Sequence, residues 1–291
     1  MKTKKVLPII PLFALLLSGC NLIPSPGKKD SGNEGGGGNQ TNQSSEGEPS
    51  ISIDDDTKEY YASIDDSKTG NDLLNELNAL NNTKRKKKIT YAGLKTALQY
   101  TEIDPNGTTP QGKMYGFYDN ALVASTWDNE KTWNREHVWP KSRGGDKVEA
   151  DLLMPRPTSV SINSERGNKV YGTASGAYDP GKYIAEYRGI AARIVFYCAI
   201  AEKSLAINES TDSSSNSMGI LSQLLKWNLE YLPGGKDSES LALRVEWNRN
   251  EANEKNEKLQ GNRNPFVDHP EYACKIWGST DAKTRAACGI S

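Results

Sequence analysis

The amino-acid sequence predicts a helix-rich α+β fold, on three observations. Apolar residues recur at helical spacing over several stretches on both sides of the chain's middle. The middle, residues 114–139, is instead rich in Tyr and Trp and reads as short strands and loops. No segment repeats, which excludes solenoids and propellers.

Leu73, Leu74, Leu77 and Leu80 mark a first helix, with Asn81-Asn82 as its exit. Residues 84–88 are five consecutive cations, Lys-Arg-Lys-Lys-Lys. They suit either a solvated loop or an electrostatic landing strip for phosphates, and no aromatic residue interrupts them. Residues 91–100 read as a second short helix, and Asp104-Pro105-Asn106-Gly107 as a turn. Residues 163–171 are a further helix candidate. The clearest helix spans 182–205, where Tyr183, Tyr187, Ile190, Ile194, Cys198 and Ala201 line one face. A Ser/Asn/Asp loop covers 208–217, helices follow over 221–232 and 238–259, and the chain from Gly261 to Pro270 reads as irregular.

The N-terminus is an export signal. Lys2, Lys4 and Lys5 precede a short apolar stretch interrupted by Pro8 and Pro11, too short to span a bilayer. It ends in Leu17-Ser18-Gly19-Cys20, which resembles a bacterial lipobox; ordinary secretion with an incidental cysteine is the alternative. The resemblance implies cleavage before Cys20 and a lipid on its sulfur, holding the domain at the outer face of the membrane. Residues 21–53 are almost devoid of apolar side chains and contain four consecutive glycines, a linker composition. A flexible chain of ~40 residues reaches about 35 Å. The expected division is a signal over 1–19, an anchored linker over 20–56 and one domain, read as a monomer, over 57–291. Asp54-Asp55-Asp56 reads as a solvated charge run at the linker's end. Beyond Cys20, the odd set Cys198, Cys274 and Cys288 leaves at least one thiol unpaired; Cys274–Cys288 is the pair to test.

Charge excludes a strongly basic nucleic-acid binder. Residues 1–68 hold 7 Lys and 10 Asp and Glu, so of the overall −1 the remainder carries only +2. Phosphate affinity, if present, must come from a local patch or a metal ion.

Only two histidines exist, His137 and His269. His137 stands in Trp133-Asn134-Arg135-Glu136-His137-Val138-Trp139-Pro140-Lys141-Ser142, and Ile162-Asn163-Ser164-Glu165-Arg166-Gly167-Asn168 follows. Such a set suits phosphodiester hydrolysis, which needs a base for water and a cation at the phosphate. Histidine is largely neutral at physiological pH and suits the first task. Hard divalent ions such as Mg²⁺ suit the second, and Glu136 and Asn163 offer two oxygen ligands.

These two strings together resemble the endonuclease I family of secreted and periplasmic nucleases. The segments Leu94-Lys95…Leu98-Gln99-Tyr100-Thr101 and Gly261-Asn262-Arg263-Asn264-Pro265-Phe266-Val267-Asp268-His269-Pro270-Glu271 extend the likeness over roughly residues 60–277. The resemblance implies a ββα-metal nuclease core with a small antiparallel sheet. It assigns His137 as general base and Glu136 and Asn163 as ligands of Mg²⁺, or of Mn²⁺ or Ca²⁺. Products would carry 5′-phosphates. Glu136 and His137 are neighbours, and neighbours on a flat strand face opposite ways. A strand end or local irregularity is therefore expected, and diverging side chains would weigh against the assignment. The family's His-Asn pair after Asp151-Leu152 is replaced here by Leu153-Met154, so a supporting contact is lost or supplied elsewhere.

Arg166 is a candidate catalytic contact to phosphate and equally a structural pairing residue. Arg135, Lys141, Arg143, Arg156 and Asn168 are candidate nucleic-acid contacts. His269 reads as a loop-bonding residue, and Trp133 and Trp139 as core or site wall. The expected activity is cleavage of DNA, and of RNA as a second substrate, with little sequence preference, because no groove-reading motif is visible. The rivals are a binding lipoprotein that retains the fold without turnover, for which Leu153 and Met154 speak, and a surface adhesin.

Overall fold

A computed structural model describes residues 55–211 and 216–291. The export segment, Cys20 and the linker lie outside the described residues, as does part of the Ser/Asn/Asp loop. In chain order the elements are α1 (Asp55–Tyr60), α2 (Gly70–Lys84), α3 (Leu94–Thr101), β1 (Lys113–Tyr115), β2 (Leu122–Ala124), β3 (Trp133–His137), β4 (Pro155–Ser159) and α4 (Val160–Arg166). Then come α5 (Tyr187–Ala201), β5 (Ala206–Ile207), β6 (Ser217–Met218), α6 (Leu221–Glu230), α7 (Leu241–Lys255), α8 (Pro265–Asp268), α9 (Glu271–Trp277) and α10 (Ala282–Ala287). Two 3₁₀ turns, Lys141–Arg143 and Gly145–Val148, lie between β3 and β4. The helix-rich α+β expectation holds.

α5 is the axis of the core. Its residues from Gly189 to Ile200 are all buried, beyond the single face the spacing marked, and the one charge among them, Arg193, is paired with Glu246 at 2.6 Å. It packs against α2, α6 and α8 in a cluster that also holds Trp139, Leu153, Met154, Tyr171 and Phe266. The helix expected over 182–205 is shorter because residues 179–186 form turns: Asp179 takes Arg188 Nε and Nη2 at 2.9 and 2.6 Å, and Tyr183 stays exposed. A second cluster, with Leu94, Leu98, Met114, Trp133, Leu152 and Leu259, lies by α3. The boundary expected at residue 56 falls inside α1.

Three further differences have local causes. α4 starts at Val160 because the Ser159 hydroxyl caps it, accepting from Ile162 N at 3.4 Å, and it ends where Gly167 turns to φ +55°. α7 is confined to residues 241–255. The stretch from Gly261 to Pro270 is not wholly irregular: Asn264 caps α8 through Phe266 N, with Pro265 at its first turn.

The strands form three separate pairs. β1 with β2 and β3 with β4 are antiparallel, and β5 with β6 is parallel. β4 contains Pro155 and Pro157, yet it pairs with β3 along its length. Both prolines stand opposite His137 and Arg135, at positions whose nitrogen points away from β3, so no ladder bond is lost. The outer edge is used as well, because Phe117 N donates to Pro157 O at 2.7 Å.

Cys274 and Cys288 form a disulfide between α9 and the end of α10, and Cys198 is buried in α5 as a free thiol. Among the described residues no helix is long and apolar enough to cross a membrane.

Candidate active site

β3, β4 and α4 make a β–β–α unit in which the helix follows the second strand directly and packs on both. The register runs unbroken from Trp133 opposite Ser159 to His137 opposite Pro155. The turn before β4 is held by buried polar groups. Asp151 accepts from Tyr197 OH at 2.8 Å and Leu153 N at 3.0 Å, and pairs with Arg85 at 3.2 Å. Gln260 Oε1 accepts from Leu152 N at 2.6 Å. Leu153 and Met154 are therefore core residues, and the polar support of the turn comes from Asp151, Gln260 and Arg156, which donates to Leu152 O at 2.7 Å.

The two faces of β3 look in different directions. Arg135 and His137 face Tyr91, whose ring centroid lies 3.6 Å from the Arg135 guanidinium carbon and 5.6 Å from the imidazole. Glu136 points inward and is 1% exposed. Its Oε1 accepts from Tyr118 OH at 2.9 Å and meets Arg166 Nη1 at 3.0 Å, and Tyr118 OH and Tyr171 OH are 2.6 Å apart. The expected irregularity is absent. Both residues lie at the strand's end, but their side chains diverge as regular alternation dictates, which weighs against a shared site reached from one face.

Arg166 links the two. Its Nη1 and Nη2 donate to the carbonyls of His137 and Val138, each at 2.7 Å, while it pairs with Glu136. Burial opposes its charge, yet Glu136 beside it holds its pKa above the ordinary value. Burial also pushes the Glu136 carboxyl up, against the pull of Arg166.

His137 is half-buried, and its Nε2 is shielded from solvent without a hydrogen-bond partner. Burial, and then the cations Lys141, Arg135 and Arg166, lower its pKa to about 4, so the ring is neutral at physiological pH. Nε2 thus carries an unused polar position, but surface side chains must shift before water or substrate reaches it.

Two candidate phosphate contacts are corrected. Arg156 is fully buried, where its Nη1 donates to Glu102 at 2.6 Å, a carboxylate shared with Arg249. Arg143 is buried and donates to the carbonyls of Asn168 at 2.8 Å and Ser217 at 3.3 Å. Neither presents a free guanidinium to a ligand, because each is spent on holding strands and loops together. Lys141 is exposed, paired with Glu149 at 2.5 Å and lying over Tyr91. The Asn168 side chain is exposed beyond α4. His269 stacks on Tyr272 and bonds Glu271 at 2.9 Å, and Trp133 and Trp139 are core.

A hard cation was tested against the donors present. Among the described residues no three His, Cys, Asp or Glu side chains converge, so any ion must rely on fewer carboxylates. Asn163 is half-buried and its amide bonds no described residue. Asn134 Oδ1 is buried without a partner, two residues before Glu136 and so on the same strand face. These donors are oxygens, the type Mg²⁺ prefers, but the Glu136 carboxylate is already held by Arg166 and Tyr118. Sequence reasoning missed Asn134, Tyr118 and Tyr171; the period of two on β3 could have found the first, and nothing local marks the tyrosines.

A β–β–α unit with histidine and carboxylate adjacent at the end of its first strand is the frame of a class of nucleases. Residues 69–185 match endonuclease I. The extracellular ribonuclease of Bacillus amyloliquefaciens is 32% identical over 243 residues, covering 76% of this chain and 79% of that protein. The extracellular ribonuclease of Bacillus subtilis (strain 168) is 31% identical over 245 residues with the same coverage. No solved structure gives a significant match. The chain belongs to the endonuclease I family.

Proposed function

We propose that this chain is an exported, divalent-cation-dependent endonuclease that hydrolyses RNA and DNA with little sequence preference. The observation that carries the reading is His137: a neutral imidazole with an unpartnered Nε2, ringed by Lys141, Arg135 and Arg166. RNA joins DNA as a substrate because both curated relatives are named ribonucleases.

In this reading the surface side chains over His137 move aside and Nε2 takes the proton of the attacking water. The water oxygen bonds to phosphorus as the bond to the 3′ oxygen breaks, and that oxygen takes a proton from solvent, leaving a 5′-phosphate and a 3′-hydroxyl. Arg135 and Lys141, on the histidine's side of β3, hold the phosphate anion and offset its charge. Mg²⁺, or Mn²⁺ or Ca²⁺, held by Glu136 and Asn163 with Asn134 as a further oxygen, would supply charge neutralisation at the phosphate. Arg166 keeps Glu136 and the end of β3 in place.

Export and anchoring through a lipidated Cys20, with a monomeric domain outside the cell, belong to the same proposal; both relatives are named extracellular. Loss of palmitate labelling in Cys20→Ala tests the anchor. The rival is a nucleic-acid-binding lipoprotein without turnover, favoured by the shielded Nε2 and by Arg166 on the Glu136 carboxylate. Incubating the chain with RNA and with plasmid, in Mg²⁺ and in EDTA, separates them. The nuclease yields fragments with 5′-phosphates in Mg²⁺ alone, whereas the binder retains nucleic acid in both and yields none.

A further inference from the structure

The outer face of β3 carries more than the histidine. Arg135 lies between two aromatic rings, 3.6 Å from the centroid of Tyr91 and 5.2 Å from that of Trp127. Lys95 Nζ stands 4.1 Å over Trp127, and Lys141 Nζ 4.3 Å over Tyr91. Trp127 is half-buried, with its edge against the buried Trp133 at 4.9 Å. Three cations and two rings therefore share one surface with the His137 imidazole.

That surface is short of negative charge. Among the described residues neither Lys95 nor Arg135 has a carboxylate partner, while Lys141 has Glu149. Arg135 donates Nη1 to Tyr91 O at 2.6 Å, but among the described residues its buried Nε has no acceptor and the buried Nε2 of His137 no partner. Three like charges gathered with a single carboxylate partner between them repel one another, and the rings offset this only in part. An anion arriving here relieves the repulsion and satisfies the idle donor.

We propose that Tyr91, Lys95, Trp127, Arg135 and Lys141 form a nucleotide subsite for single-stranded nucleic acid beside the reacting phosphate, a proposal that rests on the nuclease reading. The cations take the backbone phosphate. A base stacks on the aromatic ledge once the mobile lysines swing from its faces onto phosphate. Stacking needs an unpaired base, so the subsite favours single strands over duplex, and it is indifferent to base identity because every base offers a π-face.

The test is fluorescence anisotropy of the full-length chain in EDTA with a labelled 12-mer of uridine and a labelled duplex, against Trp127→Leu and Lys95→Gln. Leu keeps apolar cover on Trp133, and Lys95→Gln changes a surface charge without touching the core. Trp127→Leu is expected to weaken single-strand binding about tenfold and duplex binding far less. Lys95→Gln is expected to lower the slope of log K against log salt by about 0.7. Equal losses on both ligands, or variants that bind the 12-mer as wild type does, overturn the subsite alone. A wild-type chain that binds neither ligand in EDTA overturns the subsite as well, and the nuclease reading falls with it only if the chain also releases no fragments in Mg²⁺.

Discussion

Arg166 Nη1 meets Glu136 Oε1 at 3.0 Å inside the protein, with both side chains 1% exposed. The same guanidinium binds the carbonyls of His137 and Val138, so one side chain from α4 fixes both the carboxylate and the strand end that carries the histidine. Removing one partner strands a buried charge. Arg166→Met should cost about 3–5 kcal/mol in urea unfolding. The double variant Glu136→Met/Arg166→Met should recover much of that loss. A single variant within about 1 kcal/mol of wild type would show that the pair clamps nothing.

Tyr118 holds Glu136 from the other side and adopts φ 82°, an uncommon backbone for a buried aromatic residue. Partners of metal ligands tune affinity. Tyr118→Phe should therefore weaken Mn²⁺ binding, measured by calorimetry, about 10- to 100-fold. Unchanged affinity would place the ion away from Glu136.

Asp104 gives the pH dependence a defined sign. Two hydrogen bonds from Arg244, at 3.1 and 2.9 Å, hold its carboxyl down at about 2, below the ordinary 3.8. A depressed acid contributes its stability above the unfolded value and loses it as pH falls through the folded one. About 2 kcal/mol should disappear between about pH 4 and pH 2. In Asp104→Asn that step should be missing from the pH profile of stability; a step of the same size in the variant would assign it to other carboxylates.

The disulfide closes a short loop, its cysteines 14 positions apart in the chain. Loops of this length give about 3 kcal/mol in the chain-entropy account. Cys274→Ser/Cys288→Ser should lose about that much, and reductant should then have no further effect on the variant's melting.

What the sequence disclosed and what it hid follow one rule. Periodicity marked α2 and α5, whose apolar residues recur at helical spacing along the chain. It misplaced α4, whose start depends on the Ser159 cap and whose end on Gly167. It did not mark β4, whose Pro155 and Pro157 fit the strand only because their nitrogens point away from β3. At the site, adjacency marked Glu136 and His137 as functional candidates. It did not reveal that Arg143 and Arg156 are buried, since their partners Ser217 and Glu102 are 74 and 54 residues away. Tyr118, Tyr171, Tyr91 and Trp127 reach the site only through tertiary packing. No local pattern announces them.

The nuclease reading turns on His137 taking the proton of the attacking water. Single-turnover cleavage of labelled RNA by wild type and His137→Ala, in Mg²⁺ and in EDTA, decides it. Wild type should cleave only with the metal, and the variant should lose at least about 100-fold in rate while still binding the oligonucleotide. If His137→Ala cleaves at the wild-type rate, the imidazole is not the base.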